Sequence, residues 1–212
     1  MNKIVLCVAA LSAVAGSALA YDGVATVTQN AYSSGSGGEF TVTPTSGYLG
    51  EAGLPADLSN SSWESFCMEH NEVFSPGGSY NMNINVAAVE GGAGGPSLAL
   101  DPRTAYLYWN FRMGTLLGYD YGAGRQSTAG DLQAAIWYIQ GNQAGGSNNY
   151  FVALAETVIG LGGWSGIGDV RVLNVYDGNG NLAQDQLTIV PTPGAAALMG
   201  LGMIGAARRR RA

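Results

Sequence analysis

Apolar and polar residues alternate at period two along "GVATVTQNAY" (residues 23–32) and "EFTVTPTSGY" (39–48), with "SSGSGG" between them. Alternation bounded by glycine marks half-buried β-strands, so the pattern predicts two strands joined by a loop at 33–38. "NMNINVAAV" (81–89) alternates more cleanly, with Met82, Ile84 and Val86 on one face and asparagines on the other. "WESFCMEHNEVFSP" (63–76) reads as a further strand in which Phe66 and Met68 flank Cys67.

After the glycine-rich "EGGAGGPS" (90–97) the period changes. Tyr106, Trp109, Met113 and Leu116 or Leu117 recur at three and four, and Asp101-Pro102 makes a cap and first-turn pair, predicting a helix over 102–117. A second helix is predicted at "DLQAAIWYIQG" (131–141), with Leu132, Ala135, Ile136 and Ile139 as its stripe. Thr128 or Asp131 would cap that helix and Gly141 end it. "NNYFVALAETVIGLG" (148–162) is a third helical stretch, and "DVRVLNVYDGNGNLAQDQLTIVP" (169–191) closes with two strands about an Asp177-Gly178-Asn179-Gly180 turn. Strands, a helical block and strands again predict a β-rich α+β fold, sandwich or barrel-like, with two to three helices inserted in a single domain.

The two ends follow other rules. Residues 1–20 begin with Lys3, continue with an apolar run from Ile4 to Val14 and finish on Ala18-Leu19-Ala20, the arrangement of a secretory signal peptide cut by signal peptidase before Tyr21. Residues 191–212 combine Pro191-Thr192-Pro193, an apolar run from Gly194 to Ala207, and Arg208, Arg209, Arg210 and Arg211. Arginines would hold that end on the cytoplasmic side, and the run is short of the roughly 20 residues of a full span. This tail resembles the PEP-CTERM sorting signals of Gram-negative bacteria, with Thr192 where the namesake motif has glutamate. The resemblance implies recognition by an exosortase-type enzyme, a transient or retained transmembrane helix, and delivery to the cell surface, outer envelope or extracellular matrix.

The part between the signals, 21–190, suits one extracellular domain with a sizeable core. It carries all fifteen acidic residues against Arg103, Arg112, Arg125 and Arg171 alone, which disfavours nucleic acid as a partner. It holds no lysine, because the chain's one lysine is Lys3. Cys7 falls in the signal, so Cys67 is left without a disulfide partner.

An unpaired cysteine can be a small buried hydrophobe. Cys67, Glu69, His70 and Glu72 lie close enough in sequence to raise a metal site, yet one cysteine and one histidine fall short of the spaced pairs that zinc takes, so neither metal nor cofactor is expected. A hydrolase built on Cys67 and His70 would need partners converging from distant segments.

Phe66-Cys67 taken with Leu132-Gln133-Ala134-Ala135-Ile136-Trp137 resembles the paired motifs of the thioester domains of bacterial surface adhesins. The resemblance implies that the Cys67 thiol links to the Gln133 side chain with loss of ammonia, while Ile136 and Trp137 pack the helix. Glu69, His70 and Tyr138 are then candidates for modulating proton transfer. With the helix starting near Asp131, Gln133 is expected in the first turn, where free N–H groups would stabilise an oxyanion and favour a thiolate at Cys67. A lysine-free domain cannot consume such a bond on its own side chains. The expected function is single-use covalent attachment, not enzymatic turnover, to an amine or hydroxyl on a surface protein or polysaccharide. The alternative is a non-covalent envelope or biofilm-matrix protein with Cys67 inert.

Overall fold

The computed structural model describes residues 21–35, 37–51, 62–92, 94–141, 143–144 and 146–190. The signal expected at 1–20 and the sorting tail at 191–212, with Pro191, Pro193 and the four arginines, lie outside the described residues.

The chain folds as the expected β-rich α+β domain. Among the described residues, six antiparallel strands form one curled sheet, a half-barrel, accompanied by three helices. In chain order these are β1 (Gly23–Ser34), β2 (Gly37–Gly47), β3 (Trp63–Ser65), β4 (Gly78–Asn85), the short pair β5 (Ala87–Ala88) and β6 (Leu98–Ala99), α1 (Pro102–Arg112), α2 (Arg125–Ile139), α3 (Tyr150–Gly160), β7 (Val170–Tyr176) and β8 (Leu182–Ile189). The large sheet runs β3-β2-β1-β4-β7-β8, so strands from both ends of the domain share it.

Alternation explains β1, where Gly23, Ala25 and Val27 are buried and their neighbours half-buried. Ladder pairing with β2 continues to Ser34 opposite Gly37, so the loop expected at 33–38 is shorter than its glycine and serine content implies. In β4, Met82 is buried and Ile84 half-buried, but Val86 lies beyond the strand and is 52% exposed. The strand expected over 63–76 is confined to β3, because pairing with β2 ends at Ser65 opposite Phe40.

The chain then changes partner. Residues just past β3 run antiparallel to β8: the Leu187 N–H donates to the Phe66 carbonyl (3.1 Å) and the Met68 N–H to the Asp185 carbonyl (3.0 Å). Ser65 reinforces this seam, its hydroxyl donating to the Leu187 carbonyl (2.7 Å) and accepting from the Leu187 N–H (2.9 Å). The two edges of the curled sheet therefore meet through residues 65–68. Their side chains alternate between two cores: Phe66 and Met68 pack among the helices, whereas Cys67 packs with Phe40, Val42, Trp63, Tyr80 and Trp137.

Each helix has an identifiable start. Asp101 accepts from the Arg103 N–H to cap α1 at the predicted place. That helix stops at Arg112, five residues before Leu117, as Gly114 takes a φ of +70°. Its buried stripe is Leu107, Tyr108 and Phe111, while the predicted Tyr106, Trp109 and Met113 form a half-buried flank. Asn149 caps α3 through the Phe151 N–H.

The start of α2 departs most from expectation. It begins at Arg125, with Gly124 as its cap and no side-chain capping bond, so neither Thr128 nor Asp131 is the cap. Two contacts move it. Asp120 accepts from the Gly122 and Gly124 N–H groups, folding the preceding turn, and the Arg125 guanidinium forks onto fully buried Glu39 of β2 with two 2.7 Å bonds. Tyr119 also donates to Glu39, and Arg125 lies 4.4 Å from the centroid of the Tyr32 ring. A second buried ion cluster ties α1 to the sheet: Arg112 meets Glu51 at 2.7 Å and Glu64 at 2.8 Å, and Tyr108 donates to Glu51. Burial pushes the Glu51 carboxyl up to about 7 even though Arg112 pulls it down.

Removing one partner of a buried pair leaves a stranded charge, which costs about 3 kcal/mol or more, whereas exposed pairs contribute below about 1 kcal/mol. Arg125→Met is therefore expected to lower unfolding free energy in a urea titration more than Arg103→Met, whose partners Asp101 and Glu156 both keep access to solvent.

Candidate functional site

The geometry around Cys67 follows from its place in the seam. The bonds of Phe66 and Met68 to β8 flank the facing pair Cys67 and Gln186, making it a non-hydrogen-bonded pair. In such a pair the side chains approach closely and the backbone N–H and C=O turn away from the partner strand. Among the described residues no strand beyond β3 covers those two groups of Cys67, and buried backbone groups left unpaired are costly.

Gln133 covers both. Its Oε1 accepts from the Cys67 N–H (3.0 Å), and its Nε2 donates to the Cys67 carbonyl (2.8 Å). The carboxamide thus acts like the peptide of a missing strand, in a place where Cys67 is fully buried and Gln133 is 1% exposed. The two residues that the sequence paired across 66 positions are in direct contact.

The thiol itself faces β8. Cys67 Sγ donates to Gln184 Oε1 (2.9 Å) and accepts from Gln186 Nε2 (3.2 Å). Burial pushes the Cys67 thiol well above its ordinary value, the Gln186 bond lowers it and the Glu69 carboxyl raises it further. The expected thiolate is therefore corrected: the resting group is a protonated thiol. The expected first-turn position of Gln133 is also corrected, because α2 starts at Arg125 and Gln133 sits in the middle of a 15-residue helix. Its surrounding helix N–H groups are engaged within the helix, so they supply no oxyanion stabilisation.

The remaining predicted residues fall in different places. Trp137 is buried in the Cys67 core, with His70 edge-on to it at 4.6 Å between centroids. Ile136 is buried in the other core, among the helices. His70 is exposed, and Tyr138 is half-buried against the helical core on the side that faces Arg103. Glu69 is fully buried. Its Oε2 accepts from the Asp185 N–H (2.9 Å), and its Oε1 has no hydrogen-bond partner among the described residues. Burial first, and the nearby Asp185 carboxyl second, push Glu69 far above the usual carboxylate range. Asp185 is raised in turn, chiefly by burial. Among the described residues no His, Cys, Asp and Glu side chains gather as a metal site, and no helix is long and apolar enough to cross a membrane.

Three residues escaped the sequence reading. Gln184 and Gln186 share one face of a strand whose other residues there are apolar or buried, a polar i, i+2 pair that signals a buried network. Gly37 carries a steric signal that sequence cannot show. A Cβ on it would lie 2.6 Å from both Gln133 Cγ and Trp137 Cη2.

Two consequences can be measured. Gly37→Ala forces Gln133 and Trp137 from β2 and is expected to cost about 1–3 kcal/mol in chemical denaturation, with the Trp137 fluorescence environment changed. Because the folded chain holds protons on Glu69 and Asp185 that the unfolded chain releases, it binds more protons above the ordinary carboxylate range. Stability should therefore be greatest at mildly acid pH and decline as pH rises, and Glu69→Gln, which fixes an uncharged side chain there, should flatten the decline in urea midpoints. Comparison of the chain with protein-family models, with curated proteins and with solved structures finds no match in any of the three.

Proposed function

We propose that the domain at 21–190 stores a thioester between Cys67 and Gln133, and that the protein is an exported, surface-sorted adhesin or matrix component. The bond serves single-use attachment to an amine or hydroxyl on an external protein or polysaccharide. Sorting is the work of the signal at 1–20 and the tail at 191–212. The observation that carries this reading is the two-point grip of the Gln133 carboxamide on the Cys67 backbone, which keeps the amide carbon against the residue that bears the thiol.

The chemistry balances within these residues. Sulfur attacks the Gln133 carbonyl carbon, the C–S bond forms, the C–N bond breaks, and the thiol proton leaves with the amide nitrogen as ammonia. An arriving amine reverses the exchange: its nitrogen bonds the carbonyl carbon, the C–S bond breaks, and a proton from the amine ends on sulfur. Complete burial protects the stored bond from water. The Gln186 Nε2–H group supports charge that gathers on sulfur as it leaves. Glu69, uncharged by its surroundings, spares that sulfur a neighbouring anion. The absence of lysine from 21–190 removes internal amines that would quench the bond.

A second reading, a non-covalent envelope or matrix protein, draws on the same burial. A sealed, protonated thiol beside a structural glutamine is also what an inert seam residue looks like. Intact-mass spectrometry of purified 21–190 separates the two. The thioester reading expects a mass short by one ammonia, restored to full mass in Cys67→Ala and in Gln133→Ala. A full-mass wild-type domain whose thiol titrates upon unfolding establishes the inert reading instead.

A further inference from the structure

Resting on the thioester reading, we infer that Gln184 is the acceptor that receives an incoming alkylammonium group, at the floor of a cleft whose rim is His70 and Glu72. The cleft has a volume of about 200 Å³ and opens to solvent. Phe40 and Phe74, edge to face at 5.0 Å, contribute its apolar wall. Gln184, 4% exposed, lines its inner end and also accepts the Cys67 S–H bond. The cleft therefore ends one side chain away from the sulfur.

Hydrogen-bond bookkeeping gives Gln184 its role. In the resting thiol state both ends of its amide are used: Oε1 by the Cys67 S–H, and Nε2 by the Glu69 carbonyl. Forming the thioester removes the S–H proton and strands Oε1 as a buried acceptor facing the sulfur. An unpaired buried acceptor costs free energy, and a donor N–H supplied through the cleft satisfies it. An amine nitrogen bonded there stands beside the C–S bond it must break.

The rim suits a cation. Glu72 supplies a carboxylate, raised by partial burial and by Glu90, a pairing that a positive guest relieves. The aromatic wall adds the attraction of ring faces for ammonium groups. The proton count closes through the same residues. The arriving ammonium gives one proton to the Glu72 carboxylate, its nitrogen bonds the Gln133 carbonyl carbon, and its second proton passes to the departing Cys67 sulfur, restoring the S–H donor to Gln184.

The test compares two nucleophiles on the thioester-bearing domain, followed by intact mass. Methylamine needs an N–H acceptor, whereas 2-mercaptoethanol attacks the same carbonyl as a thiolate, which brings no sulfur-borne donor. Gln184→Leu is expected to slow methylamine uptake about tenfold to a hundredfold, as loss of a bond to a charged group predicts, and to slow thiol exchange far less. Gln184→Glu should recover methylamine uptake. Glu72→Gln, at the rim and outside the hydrogen bonds of the seam, should slow methylamine alone and covers the case in which Gln184→Leu fails to fold. A lysine-containing peptide tried beside free methylamine tells a protein side chain from a free amine as the source. Equal slowing of both nucleophiles, or of neither, in Gln184→Leu and Glu72→Gln overturns the inference while the thioester stands. A wild-type domain of full mass overturns the thioester reading and this one together.

Discussion

The structure depends on a change of partner at residues 65–68. β3 leaves β2 after Ser65 and the chain crosses to β8, closing the curled sheet where its two edges would otherwise stand open. An open edge is a row of unpaired backbone groups, and closure removes it. The crossing exposes one residue's backbone on the inner side, and that residue is Cys67. Gln133 pairs that backbone, which fixes the rotation of α2 against β1 and β2 and places Trp137 over the Cys67 core.

Charge holds this arrangement from outside the site. Two of the four arginines between residues 21 and 190 anchor one helix each to the sheet, Arg112 through Glu51 and Glu64, and Arg125 through Glu39. These pairs carry positional information more than stability, because a buried ion pair gains little over a well-packed apolar one. Arg125 acts directly on the site: by starting α2 early and clamping it to β2, it fixes the level at which Gln133 meets Cys67.

Local patterns were legible in the sequence and long-range ones were not. The alternation of β1, β2 and β4 and the Asp101 cap depend on residues within a few positions of one another, and the fold class followed from their order. The Cys67 and Gln133 pairing was readable as two short motifs, and their contact is direct. The start of α2 was misplaced because Thr128 and Asp131 look like caps, whereas the deciding partner, Glu39, lies 86 residues from Arg125. The thiol's protonation was misjudged for a related reason, since it follows first from burial in a core assembled from distant segments, with Glu69 adding to it and the Gln186 bond of β8 opposing it. Gly37 had no sequence signal at all, being one glycine in a glycine-rich chain.

The Gln133 grip makes the seam a mechanical partner in any chemistry at Cys67. In the proposed thioester, release of the Gln133 nitrogen as ammonia would take away the donor that pairs the Cys67 carbonyl and leave the closure with one of its two Gln133 hydrogen bonds missing. Capture of an amine would return a nitrogen, with an N–H, to the same carbonyl carbon. Under the proposed function, the fold would be slightly sprung while the bond is stored and would relax on capture, which would bias the linkage toward staying made.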